Sequence, residues 1–438
     1  MVKYLVQRVN EYDGPVSDSG PAGQHTVRRH NSTLVLDAIA STPGVSRAGI
    51  AARTGLTKAT VSTLVDRLVA ASLVREHGRE HRSGPGRRGT SLSLSPDGPC
   101  GLGVEIGVDY LATCLIGLTG EVRGERVRRT DNRGRTPSRI LSRVSDELEQ
   151  ELARAERERG TVAGVGVAVP GLVDTGSGRV TVAPNLGWED VDLAAELRAH
   201  VPALPGRLVV GNEANLAAVA EWEALRRETG PAPTSFVHVS GEIGIGAGIV
   251  LDGTLFDGVH GFGGELGHFP VQPRGPRCSC GARGCLERLA GKDALLDRAR
   301  ADDVDALVAL LDDGERTARA AVRAAGRTLG STLSAVVNLL DVPTIVLGGI
   351  YARLHPWLSE PLSAELAERI VGSARRDVEV RRSVLGADAA VRGAAAAALR
   401  TVLDDPDAYV LRDRQAEERT TSSVGSRIDG GSGSSPAS

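Results

Sequence analysis

The sequence predicts an α/β body preceded by a small winged helix-turn-helix module, and three observations carry that prediction. Apolar strand-like runs such as Val162 to Val169 alternate with long helical stretches such as Pro137 to Arg159, the pattern of layered α/β architecture. Residues 31–95 carry two helix-start signals in close succession, then two short strand-like runs around a Gly/Pro/Arg tip. Charge is also divided. Residues 1–97 hold 13 Lys and Arg against 8 Asp and Glu, leaving 39 against 47 in the rest of the 438-residue chain. A basic front on an acidic body suits an anionic partner at the front.

Taken in order, residues 1–30 mix Gly, Pro, Ser and scattered charge without periodicity and read as a disordered arm. Leu34, Val35 and Ile39 then mark a first helix from Asn31 to Ala40. Ser46 is placed to cap a second helix through Ile50, Ala51 and Ala52, and Thr54-Gly55-Leu56 forms a sharp turn. Thr57 caps a third helix, Lys58 to Ala70, with Val61, Leu64, Val65 and Leu68 on its apolar face. The opposite face offers Lys58, Thr60, Ser62, Thr63 and Arg67, a polar set suited to a major groove of double-stranded DNA. A β-hairpin wing follows, its tip Gly84-Pro85-Gly86-Arg87-Arg88-Gly89. Arg87 and Arg88 can reach a phosphate backbone or a minor groove. A helical protein-interaction domain is the alternative, and the charged wing tip favours DNA.

Ser95 to Pro99 marks a boundary, and the body is expected over residues 100–404. Gly101 to Val108 opens a strand-turn-strand unit, and Val162 to Val169 is a buried strand ended by Pro170-Gly171. Leu208 to Asn215 is a strand ending in polar residues before a helix through Trp222, and Phe236 to Val250 forms another hairpin. Residues 286–340 are mainly helical, Pro343 to Gly349 is a late strand, and residues 375–400 close with a strand and an Ala-rich helix. Residues 405–438 turn polar and read as a disordered tail. Hydrophobic residues make up 41% of the chain but aromatics only 3%, so the cores must be aliphatic. No apolar run reaches the ~20 residues that span a bilayer, and no signal-peptide pattern is present. Clustered reduced thiols point to the cytoplasm.

The most specific stretch runs from Gly263 to Glu287. It carries His268, Cys278, Cys280 and Cys285, and three of the five cysteines fall within eight residues. One imidazole and three thiolates complete a tetrahedron for structural zinc and leave no open position for a hydrolytic water. Packing of thiols alone does not require this spacing. Cys100 and Cys114 sit in or beside apolar strand patterns and read as core. Glu265 and Glu287 flank the ligands.

Gly264-Glu265-Leu266-Gly267-His268 followed by Cys278-Ser-Cys-Gly-Ala-Arg-Gly-Cys-Leu-Glu287 resembles the ROK family, which joins sugar kinases to sugar-responsive repressors. The resemblance covers roughly residues 30–400 and implies an actin-like, ribonuclease-H-like fold of two lobes around a cleft. It places sugar contacts at Asn212, Glu213, Glu265, His268 and Glu287, with His268 serving both zinc and sugar. It also exposes departures from the kinase pattern. The first phosphate turn, Asp-x-Gly-Gly-Thr in the kinases, is Glu105-Ile-Gly-Val-Asp109 here. The second, Gly-Thr-Gly-x-Gly, is Gly241-Glu242-Ile-Gly244-Ile-Gly246, and the catalytic Asp corresponds to Glu213. Acids beside phosphates repel them, and a displaced base slows proton transfer. The expectation is a cytoplasmic, sugar-responsive repressor without catalytic residues. It binds a DNA operator as a homodimer or homotetramer. The alternative is an active or bifunctional ATP-dependent sugar kinase carrying a DNA-binding module.

Overall fold

A computed structural model describes residues 24–78, 90–158, 160–228 and 232–411, and the chain divides into two compact units. The smaller unit holds the front module together with residues 117–121 and 399–411. Its elements are α1 (Gln24–Ser41), β1 (Val45–Ser46), α2 (Arg47–Thr54), α3 (Lys58–Ala70), β2 (Val74–His77) and β3 (Ser91–Leu94). Local chemistry fixes the helix-turn-helix. Ser46 Oγ accepts from the Gly49 N–H at 3.1 Å to start α2, Gly55 ends it in the left-handed region at φ 74°, and Thr57 Oγ1 accepts from the Thr60 N–H at 3.1 Å to start α3. Leu36, Ile39, Ile50, Val61, Val65 and Leu92 are fully buried beneath these helices and the β1-β3-β2 sheet.

Both expected ends of this module need correction. α1 begins at Gln24, so residues 24–30 are helical rather than part of an arm, and residues 406–411 are helical rather than tail. The two segments support each other. Arg28 Nε pairs with Asp407 at 3.1 Å, Arg29 with Asp405 at 3.0 Å, and Thr33 Oγ1 donates to the Asp404 carbonyl at 3.0 Å. Polar composition suggested solvation, but these polar groups are paired with one another. The remainder of the expected arm and tail, and the wing tip with Arg87 and Arg88, lie outside the described residues.

The larger unit holds two five-stranded sheets of one topology. The first uses β4 (Cys100–Ile106), β5 (Tyr110–Gly117), β6 (Val122–Arg129), β7 (Val162–Val169) and β11 (Arg207–Asn212), in the order β11-β7-β4-β5-β6. Between them come α4 (Pro137–Arg157), a small sheet of β8 (Leu172–Asp174), β9 (Arg179–Ala183) and β10 (Trp188–Val191), and α5 (Leu193–His200). α6 (Glu213–Leu225) leaves directly from β11, with Asn212 as its N-cap. The second sheet repeats the scheme with β12 (Phe236–Gly241), β13 (Ile245–Leu251), β14 (Thr254–Leu255), β15 (Thr344–Gly349) and β16 (Glu379–Arg382), in the order β14-β13-β12-β15-β16. In both sheets the first three strands lie in series and the fourth and fifth add beside the first, the doubled arrangement expected of a two-lobed body. β4 and β15 are buried along their whole length, as continuous apolar runs require.

The helices of the second lobe are α7 (Glu287–Ala290), α8 (Lys292–Ala299), α9 (Val304–Asp312), α10 (Arg316–Leu340) and α11 (Ile350–Arg369), while α12 (Ala389–Asp404) packs on the first sheet, where a Cβ at Gly103 or Gly166 would meet its backbone. Leu329, Leu333 and Val337 of α10 share one aliphatic core with Leu354, Leu358 and Leu362 of α11. Each fully buried leucine contributes about 1.5–3 kcal/mol. Gly330 sets the closeness of this pair, because a Cβ there would meet the Leu362 carbonyl oxygen. Among the described residues, no helix is long and apolar enough to cross a membrane.

Candidate functional site

The loop between β14 and α7 folds back on itself through isolated bridges pairing Pro270 with Cys285 and Arg277 with Arg283. Gly284 permits the turn. It has φ +67°, and a Cβ there would collide with the Gln272 carbonyl oxygen. The fold gathers the four expected metal ligands. Cys278 Sγ lies 3.6 Å from His268 Nδ1, Cys280 Sγ lies 3.7 Å from Cys285 Sγ, and one ligand atom from each of the four residues falls within 4.8 Å of the others. Ligand bonds of ~2.3 Å to sulfur and ~2.0 Å to nitrogen give tetrahedral edges of about 3.8 and 3.5 Å, so these separations suit a zinc ion. Cys278 Sγ donates to Glu287 Oε1 at 2.8 Å. Burial, then that hydrogen bond, raises this thiol above its ordinary range, and a cation would supply the opposing charge a thiolate needs.

The same turn brings together three of the five expected sugar contacts. His268 Nε2 stands 3.9 Å from Glu265 Oε2, while Nδ1 stands 3.7 Å from Glu287 Oε1. One ring nitrogen thus faces the sulfurs and Glu287, and the other faces Glu265. Glu213 opens α6, where burial, reinforced by Glu242 and Glu265, pushes its carboxyl up to about 8. Asn212 is more committed than the sequence indicated. Its Oδ1 accepts from the Ala214 and Asn215 N–H groups, and its Nδ2 donates to the Gly171 carbonyl at 2.8 Å, leaving one amide hydrogen for a ligand. Gly171, with φ +104°, is required by the approach of Val182 and Ala183.

Sequence reasoning missed Asn185. Its side chain accepts from Ser279 Oγ at 2.8 Å, and with Glu287 it occupies the space beside Gly244. Its loop, Ala183 to Trp188, lies between apolar segments and carries the only local signal. Lys292 was missed as well. Its Nζ lies 2.7 Å from Asp109 Oδ2, linking the β4–β5 turn of the first lobe to α8 of the second. Nearby, Tyr110 OH donates to Glu105, whose other carboxylate oxygen is buried without a partner. Burial holds Glu105 well above the ordinary carboxyl range. Burial also pushes Glu242 up to about 7, with Lys292 opposing and Asp109 adding to the shift.

In the front module, Lys58 and Thr63 are exposed on α3, and Thr60 and Ser62 are partly so. Thr60 Oγ1 also meets Thr57 Oγ1 at 2.9 Å. Arg67 sits apart from them, its guanidinium 3.2 Å from the buried Asp407.

A doubled α/β body that gathers a His/Cys cluster and several carboxylates, in a chain that also holds a winged helix, defines the class of sugar-kinase-like proteins equipped with a DNA-binding module. The comparisons with known proteins agree. A model of the ROK family matches residues 101–401, and a model of the MarR family matches residues 29–83. The chain belongs to the ROK family. It is 30% identical over 405 residues to the xylose repressor of Caldicellulosiruptor bescii, covering 88% of this chain and 99% of that protein. It is 29% identical over 394 residues to the xylose repressor of Bacillus subtilis, covering 87% and 98%. Among solved structures, a ROK family transcriptional regulator, a homolog of the E. coli MLC protein, superposes with a TM-score of 0.72 at 25% identity, covering 88% and 98%. A ROK family glucokinase from Streptomyces griseus, in complex with glucose and AMPPNP, gives 0.61 at 25% identity, covering 69% of this chain and 99% of its own.

Proposed function

We propose that this chain is a sugar-responsive, DNA-binding transcriptional repressor that does not phosphorylate its sugar. The observation that carries this reading is the contrast within one cleft. The carboxylate–histidine cluster of Glu213, Glu265, His268 and Glu287 is assembled, while the phosphate side is filled by Glu242 and the Asp109–Lys292 pair. The full-length match to repressors, front module included, supports it. Structural zinc held by His268, Cys278, Cys280 and Cys285 would fix the orientation of His268. Lys58, Thr60, Ser62 and Thr63 would read the operator, with Arg87 and Arg88 on its backbone and Arg67 behind them. The protein works in the cytoplasm as a homodimer or homotetramer on a pseudo-palindromic site. Sugar shifts operator occupancy through its different affinities for the DNA-bound and DNA-free states.

The kinase reading keeps one observation in its favour: glycines stand at Gly244 in the β12–β13 turn, Gly246 in β13 and Gly348 in β15, the elements that would face a nucleotide. The deciding experiment is a thermal-shift screen against a sugar panel, with and without ATP, with ADP release followed in parallel. A sugar-dependent shift without ADP release supports the repressor; sustained, sugar-dependent ADP release overturns it.

A further inference from the structure

We propose that the β6–α4 face of the larger unit is a second contact surface for duplex DNA, gripping the phosphate backbone without reading bases. This rests on the DNA-binding reading above and adds to it a surface outside the winged helix. Residues 123–143 hold eight Arg and no Lys against two acids, although the chain beyond residue 97 has 39 bases against 47 acids. Both acids of the stretch are engaged. Glu125 pairs with Arg392 at 3.1 Å, and Asp131 Oδ1 accepts the Arg133 N–H at 3.1 Å. Arg126 and Arg128 share the buried Glu147 at 3.7 and 2.9 Å, and Arg133 reaches Asp293 at only 3.9 Å. Arg129 and Arg139 are exposed and make no side-chain hydrogen bond or ion pair among the described residues.

The fold gathers these charges. The Arg143 guanidinium donates to Thr130 Oγ1 at 2.6 Å, which brings α4 against the end of β6. Desolvation, then the charges of Arg135, Arg139 and Arg128, holds Arg143 below its ordinary range, so four guanidiniums stand close enough to repel one another. The first turn of α4 holds no acid to offset them. Protection of a sheet edge accounts for only part of this. β6 is the outer strand of its sheet, and edge strands commonly carry charge to discourage pairing. Arg133, Arg135, Arg139 and Arg143 lie beyond the strand, where that device has no use. From Arg123 to Arg129 the strand extends roughly 20 Å, so the charges form a row and not a pocket around one anion. A duplex presents the matching row, one negative charge per about 1.7 Å of axis, and a chain held on an operator meets further duplex at high local concentration.

The test is anisotropy titration of the full chain on labelled duplex DNA of mixed sequence across a salt series, beside thermal unfolding. Arg129→Ala combined with Arg139→Ala removes two unpaired guanidiniums and should leave the melting temperature unchanged. The log–log salt slope should fall by about 2, so that between about 50 and 200 mM salt the native chain loses roughly tenfold more affinity than the variant. Arg316→Ala combined with Arg323→Ala removes the same charge from exposed positions of α10 and should leave the slope alone. If the first pair melts early, Arg129→Gln with Arg139→Gln takes its place. A slope equal to the native one, or an equal fall in the α10 pair, overturns this inference and leaves the winged helix as the DNA contact; the arginines would then face an acidic protein. A native chain that binds no duplex at any salt overturns the DNA-binding reading, and this inference with it.

Discussion

Arg67 of α3 and Asp407, near the end of the described chain, form an ion pair at 3.2 Å in which Asp407 is only 3% exposed. Asp407 also accepts from Arg28 Nε at 3.1 Å and Ser32 Oγ at 3.2 Å, so one buried carboxylate ties α1 and α3 together. Asp407→Ala would leave both arginines without this acceptor. Because their side chains are 43% and 24% exposed, water replaces part of the loss, and the cost should be about 1–3 kcal/mol rather than that of a fully buried pair. Operator affinity should fall with stability. Denaturant unfolding alongside operator titration checks this, and an unchanged unfolding midpoint would remove the proposed anchor. Lys58→Ala, by contrast, should weaken DNA binding while leaving stability alone.

The metal centre predicts composition directly. The purified protein should hold about one zinc per chain. Cys280→Ser should lose it, with a lower melting temperature and weaker sugar binding. Cys100 and Cys114 are buried in β4 and β5, so replacing either with Ala should leave the zinc content unchanged. Freshly reduced protein without zinc by elemental analysis would refute the assignment.

On DNA, Arg87→Ala combined with Arg88→Ala should weaken binding to all sequences alike. Removing two phosphate contacts should reduce the log–log salt slope by about 2. Thr60→Ala should instead change which operator bases are preferred. A double variant with an unaltered slope would show that the wing does not touch phosphate.

Much of this was legible because local chemistry decided it. Ser46, Gly55 and Thr57 punctuate the helix-turn-helix through bonds to their own neighbours, and the Cys/His spacing falls within one short loop. The misses share a cause. Asp407 meets Arg28 and Ser32 across more than 370 positions, and Lys292 meets Asp109 across 183. Neither pairing leaves a periodic or compositional trace, so residues 405–411 read as solvated tail and Lys292 drew no assignment. The strand was expected to run from Leu208 to Asn215, but it ends at Asn212 and a helix starts at the very next residue, on which the capping bonds of Asn212 depend.

Glu213 links acid–base behaviour to function. Its carboxyl is pushed up to about 8 by burial and by Glu242 and Glu265, against about 4.3 for an unfolded glutamate. The folded state therefore holds a proton that the unfolded state has released over most of that interval. The stabilisation is complete below the unfolded value and is lost as pH rises through the folded one. Glu242, pushed up to about 7, acts in the same sense. Unfolding free energy should accordingly fall between about pH 5 and about pH 9. Glu213→Gln, neutral and similar in shape, should flatten that fall, as urea titrations across the range would reveal; an unchanged profile would mean that Glu213 is not buried as described. The same variant separates sensing from catalysis. If the native chain phosphorylates a sugar with ATP and Glu213→Gln abolishes the reaction, the raised carboxyl is a general base and the protein is a kinase that also binds DNA. If neither form turns over ATP while sugar still releases the native protein from its operator, Glu213 serves the bound sugar and the tuning of its own proton, not phosphoryl transfer.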